Sequence, residues 1–174
     1  MKKLVLVLAL VFAGIMSANA QQLWIGGSAN AAVQQNLTEF TIAPEIGYNF
    51  NSQWAIATGL GYTYHNENTA ALGNFQYNRF IVSPYVRYIG GTIGKKFSLF
   101  CDLTYDIDIL SPQMWRAGLQ PGIAWMATEK FTAAFRFAFL GYDHFFSQGQ
   151  GFFMNFALAT PAGSTPAISI YYNF

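Results

Sequence analysis

The residue types that could do chemistry are few and scattered. His65, His144 and Cys101 are the only imidazoles and thiol in 174 residues. A structural zinc site needs about four such ligands gathered together, and these three are far apart in the chain. Ser147 lies close to His144, but a nucleophile needs a base and an orienting acid in one constellation, and no Ser/His/acid set falls on one face. Gly26-Gly27 and Gly59-x-Gly61 lack the strand-turn-helix context of a phosphate loop; they fit relief of crowding or a bend. The lone Cys101 cannot build a disulfide framework and reads as a small apolar wall residue. No catalytic, cofactor or metal residues are expected, and the protein is expected not to be an enzyme. A lipid A-modifying activity is the catalytic alternative.

The chemistry that the spacing does offer is ion pairing. Lys2 and Lys3 aside, fifteen charged residues remain. Nine of them, Glu39, Glu45, Arg79, Arg87, Asp102, Asp106, Asp108, Arg116 and Arg136, fall inside alternating runs and share one parity. Glu67, Lys95, Lys96, Glu129, Lys130 and Asp143 fall in expected connections. Side chains two apart lie on one face of a strand. In Phe97–Ile109 the face of Leu99, Cys101, Leu103 and Ile107 is apolar, and the other carries Asp102, Asp106 and Asp108.

The same alternation predicts strands over 22–33, 38–50, 54–65, 75–89, 97–109, a sixth around 115–125 and a seventh with Phe131, Phe135, Phe137 and Phe139 outward. The last, 152–174, is read as one strand kinked at Pro161–Pro166. Two strands and a loop there would make nine, and single-chain bacterial barrels have an even number. Pro44, Pro84 and Pro121 remove ladder donors; each lies on the outward parity, where a bulge would absorb it. Loops are expected around 34–37, 66–74, 110–113 and 143–151, and tight turns at 51–53, 90–96 and 128–130.

The bulk numbers say which solvent these faces meet. Hydrophobic residues are 53% and aromatics 18%, while charged residues are 10%, against about 25% in a soluble domain. A net charge of +1 gives no sign of a nucleic-acid partner. Lys2-Lys3, the short apolar run Leu4–Met16 and Ala18-Asn19-Ala20 predict a signal peptide over 1–20, cut after Ala20, and so an exported domain over 21–174. No apolar run is long enough for a spanning helix. Only helices and closed barrels satisfy every backbone group in lipid, so the expectation is an all-β, eight-stranded, antiparallel up-and-down transmembrane barrel with charges inside. Each arginine moved to the lipid face costs about 2–4 kcal/mol at the midplane; turning four outward costs on the order of 10 kcal/mol, which fixes the orientation. A soluble β-sandwich shares the periodicity but hides its rings and shows its charges.

Outward aromatics gather toward the strand ends. Tyr48, Phe50, Trp54, Tyr88, Phe97, Trp125, Phe131, Tyr172 and Phe174 lie near the short turns, with Phe40, Tyr62, Tyr64, Trp115 and Phe139 near the other rim. Such rings form the girdles of a membrane barrel. The lumen of eight strands is just wide enough for its own side chains, so the nine inward charges are expected to pair into a plug: Arg79 opposite Asp108, Asp108 near Arg116, Arg87 diagonal to Asp102. A narrow ion or solute channel lined by them is the alternative. The stretch Phe152–Leu158 is expected to run on either as a strand edge open to a partner or as a loop.

Pro-Glu-Ile-Gly-Tyr at 44–48, Gly-Leu-Gly-Tyr at 59–62 and the terminal Tyr-Tyr-Asn-Phe resemble the small Gram-negative outer-membrane β-barrels, the barrel-only proteins of the outer membrane protein A, X and W type, in their Bacteroidota form. The resemblance implies a C-terminal signal read by the barrel assembly machinery, carried here by Ile170, Tyr172 and Phe174. Ser169 and Ala167 stand where that signal has a glycine and a polar residue. It also implies escort by periplasmic chaperones, a surround of outer-membrane lipid and lipopolysaccharide, a single copy, and a structural or surface-interaction role.

Overall fold

A computed structural model of the protein describes residues 23–34, 37–69, 73–144, 150–156 and 167–174. The expected signal peptide lies outside them. The strands are β1 (Leu23–Gln34), β2 (Leu37–Asn49), β3 (Trp54–Thr69), β4 (Gly73–Ile93), β5 (Phe97–Asp108), β6 (Trp115–Met126), β7 (Phe131–Arg136), β8 (Ala138–His144), β9 (Gln150–Phe156) and β10 (Ala167–Asn173). Every pairing is antiparallel, and β1 pairs with both β2 and β10, which closes the sheet. β7 and β8 follow one another along β6, and β10 and β9 follow one another along them. The ten strand segments are therefore eight staves of a closed antiparallel barrel. Arg136 pairs with Ala167 and Ala138 with Phe156, so β9 and β10 meet the β7–β8 stave on either side of the single residue Phe137; the expected kink at 161–166 lies outside the described residues.

The end holding Leu23 and Phe174 has the short turns. Asn51 Oδ1 accepts from the backbone N–H of Gln53 (2.8 Å) and Trp54 (2.9 Å), and Thr128 Oγ1 accepts from that of Phe131 (3.0 Å); both side chains mimic a backbone turn. Gly94 sits at φ +66° in the β4–β5 turn, a conformation that suits glycine.

Several boundaries differ from those expected. The run 66–74 is mostly ladder, with Glu67 opposite Phe75 and Thr69 opposite Gly73. β4 continues through the expected turn to Ile93, after a bulge between Ile89 and Gly91. Strand also reaches His144 and resumes at Gln150 inside the expected 143–151 loop. Pro44 and Pro84 are absorbed without a bulge. Each leaves a gap in the ladder on one side, toward β3 and β5 respectively, and the register resumes unshifted.

Pro121 behaves differently. Gly122 pairs with Arg136 and Leu119 with Leu140, so three residues, 137–139, oppose Gln120 and Pro121. Phe137 N–H donates to the Pro121 carbonyl at 3.2 Å. This is a bulge, and one extra residue reverses which face each later side chain takes. Phe139, expected on the outer rim, is buried inside, and Leu140 faces out. Asp143, expected in a loop, is a buried strand residue.

Candidate functional site

The largest side chains inside rest on missing ones. A Cβ built on Gly26 would strike Tyr171, on Gly47 the indole of Trp24, on Gly122 the ring of Phe100, and on Gly118 the ring of Phe139. Four inward glycines thus provide the seats for four rings. Trp24 and Tyr171 meet edge to face at 4.5 Å; Trp24, Tyr85, Phe100 and Tyr171 form one buried cluster.

Against these rings lies a charge layer that crosses the barrel. Arg87 on β4 forms a two-pronged pair with Asp102 on β5, Nε to Oδ1 at 2.7 Å and Nη2 to Oδ2 at 2.8 Å. Arg136 on β7 donates from Nε to the same Asp102 Oδ2 at 2.9 Å, from Nη1 to Ser169 Oγ at 2.7 Å and from Nη2 to Glu45 Oε2 at 3.3 Å. Glu45 on β2 also accepts from Tyr85 Oη (2.6 Å), Tyr171 Oη (3.3 Å) and Ser169 Oγ (3.3 Å). The Arg87 guanidinium lies 4.1 Å from the Phe100 ring centroid, within cation–π range. β2 and β7 are separated by two staves and β5 and β7 by one, so the Arg136 bonds to Glu45 and Asp102 span the interior rather than follow its wall. Two guanidiniums face two carboxylates, and the layer is neutral. Asp102, with no exposed surface at all, accepts three charge-assisted hydrogen bonds, which are the strong kind.

Nearer the end opposite the short turns, Arg79 Nε meets Asp108 at 3.0 Å and Arg116 Nε meets Asp106 at 2.6 Å. Asp143 lies directly across from Arg116 in the β6–β8 register. Higher still, His65 Nδ1 lies 2.8 Å from Glu39 Oε2. All nine inward-parity charges therefore face the interior, seven of them buried and Arg79 and Arg116 partly so. Their pairings differ from those expected. Ile81, not Arg79, stands opposite Asp108, although the Arg79–Asp108 ion pair forms. Arg116 pairs with Asp106 in place of Asp108, and Arg87 is directly opposite Asp102 rather than diagonal.

No family model matches the chain, and no curated protein does.

Tyr85, Tyr171, Ser169, Asp143 and His65 belong to this interior but were not among the expected site residues. Tyr85, Ser169 and Tyr171 hold the inward parity of their strands, which is the signal they offered; Asp143 was hidden by the bulge. Among the described residues no group of three or more His, Cys, Asp or Glu side chains is placed to hold a metal ion. On the outer wall, Leu60 is 59% exposed, Leu103 57% and Ile170 59%. Tyr48–Phe50, Trp54–Tyr88 and Phe131–Tyr172–Phe174 form ring contacts toward the short-turn end. Phe40–Tyr62–Tyr64 and Tyr105–Trp115–Tyr142 do so toward the other. Ile170 and Phe174 are exposed and Tyr172 half-buried, all on this outer surface.

Proposed function

We propose that the protein is an outer-membrane β-barrel of a Gram-negative envelope, with a lumen closed by its own side chains and a structural or surface-interaction role. The observation that carries this reading is the Glu45–Arg87–Asp102–Arg136 layer, which is bonded across the interior and packed against a buried cluster of rings. A wall of exposed leucine and isoleucine bounded by two bands of rings supports the membrane setting, since soluble monomers rarely expose large contiguous apolar patches and membrane barrels have this layout. Ile170, Tyr172 and Phe174 would serve as the terminal signal for assembly. Outer-membrane lipid and lipopolysaccharide would contact the wall.

β9 supports the surface-interaction half of the reading. It pairs with β8 and, among the described residues, carries no ladder along its other edge. It has no charge and no proline, the usual protections of an edge, and Phe152 is 85% exposed.

Planar-bilayer recording on refolded protein tests the closed lumen. The wild type is expected to show no current steps of steady amplitude. Glu45→Ala combined with Arg136→Ala, which empties the layer between β2 and β7, is expected to admit a small one. A steady current from the wild type would favour the narrow-channel alternative.

A further inference from the structure

The layer of Glu45, Arg87, Asp102 and Arg136 is neutral. The interior above it, toward the end opposite the short turns, is not. Glu39 on β2, Asp106 and Asp108 on β5 and Asp143 on β8 are buried there, and Glu67 on β3 shares the inward parity of His65, 3.5 Å from its ring. Against these five carboxylates stand two guanidiniums, Arg79 and Arg116. Counting His65 as a cation still leaves five against three. The only other charges of residues 23–174 outside the layer are Lys95, Lys96, Glu129 and Lys130, all in short turns at the far end. Arg116 itself has a carboxylate level with it on each side, Asp106 and Asp143. Side-chain exposure falls inward, from 44% at Glu67 to 11% at Glu39 and 3% at Asp108, so solvent meets this group from the upper end.

Thr104 lies on the same face of β5, one step below Asp106 and one above Asp102. It is 5% exposed, and among the described residues its Oγ1 has no hydrogen-bond partner. A buried hydroxyl left unpaired is costly, and its oxygen can accept from a donor that enters the lumen. Excess carboxylates in a narrow cleft with low-dielectric walls focus their field and concentrate cations. Among the described residues no three of them are gathered to hold a metal ion, so the charge suits a ligand whose own charges are spread out. Successive inward positions on β5 are about 7 Å apart, a distance that a four-carbon diamine spans. An alkylammonium end has three N–H donors and no acceptor, which matches carboxylates and a lone hydroxyl oxygen.

We propose that the upper interior is a cation vestibule that takes a linear diamine, one ammonium group donating to Thr104 Oγ1 and Asp106, the other to the carboxylates nearer the opening. The neutral layer lies beneath it, so the ligand enters and leaves by the upper end.

The test titrates the four-carbon diamine putrescine into the folded barrel in zwitterionic micelles at neutral pH and low salt, with affinity read by calorimetry and position by NMR of threonine methyl groups. Saturable binding that shifts Thr104 and leaves Thr128 in the β6–β7 turn unmoved is the expected result. Thr104→Val keeps the shape and removes only the unpaired hydroxyl, so the barrel should fold as before and bind putrescine roughly tenfold more weakly, the low end of what a hydrogen bond to a charged group supplies. Glu67→Gln, at the exposed mouth, should weaken binding by less. Magnesium chloride at equal concentration should leave Thr104 unmoved. No saturable binding, equal affinity in Thr104→Val, or a magnesium shift that matches the diamine's overturns the proposal, the last because it would show a counter-ion cloud only.

Discussion

Asp102 shows how much of the interior rests on one side chain. It has no contact with solvent and receives both Arg87 and Arg136. Asp102→Ala would leave two buried guanidiniums short of their partner, and breaking a buried pair from one side costs about 3–5 kcal/mol. Urea unfolding in lipid vesicles should register a loss of that size, whereas Lys130→Ala at an exposed turn should register almost none. Gly47 makes a second case. A methyl there enters the space of the Trp24 indole, and overpacking of a filled interior costs about 1–3 kcal/mol. Gly47→Ala should lower stability by that amount, while Gly91→Ala, with open space around it, should not do so by clash. The face of each of the nine charges was legible because a strand has a period of two. The partner of each was not. The β4–β5 and β5–β6 hairpins are each offset by two residues from the expected pairing; an offset of two keeps every side chain on its face and changes only what it meets.

At the scale of elements, the bulge at Phe137 is the feature that the alternation concealed. Phe131, Phe135, Phe137 and Phe139 look like one uninterrupted outer face. The signal lay just beyond, where Leu140 and Tyr142 alternate with Gly141 and Asp143 and so restart the pattern on the opposite parity. The bulge puts Phe139 over Gly118, with the Arg116 guanidinium 5.1 Å from its ring centroid. Deleting Ala138 alone would remove the extra residue and leave Leu140 level with Leu119, keeping Phe139 and Asp143 inward, whereas deleting Phe137 and Ala138 together would turn Phe139 and Asp143 outward and bring Leu140 and Tyr142 in. The expected result is a heat-modifiable barrel on a gel for the single deletion and failure to form one for the double deletion, because a carboxylate would then sit on the apolar wall and Arg116 would lose the residue across from it. A folded barrel of unchanged stability from the double deletion would mean that the residue count at the bulge does not set the inward face of β8.

For the whole molecule, the eight staves, their antiparallel order and the sorting of charged from apolar faces followed from alternation, turn residues and the scarcity of charge. The glycine seats under Trp24, Phe100, Phe139 and Tyr171 did not, because they depend on which residues of neighbouring staves come level. The central claim is that this barrel turns its aliphatic wall to hydrocarbon and its ions inward. The most direct measurement places single spin labels at Leu60, Leu103 and Ile170 in a Cys101→Ser background, reconstituted in lipid vesicles, and compares relaxation by oxygen with relaxation by a water-soluble nickel chelate. High oxygen access and low nickel access at all three positions is the predicted result. Free access of the nickel chelate to all three, in a protein that stays in solution as a monomer, would contradict the account.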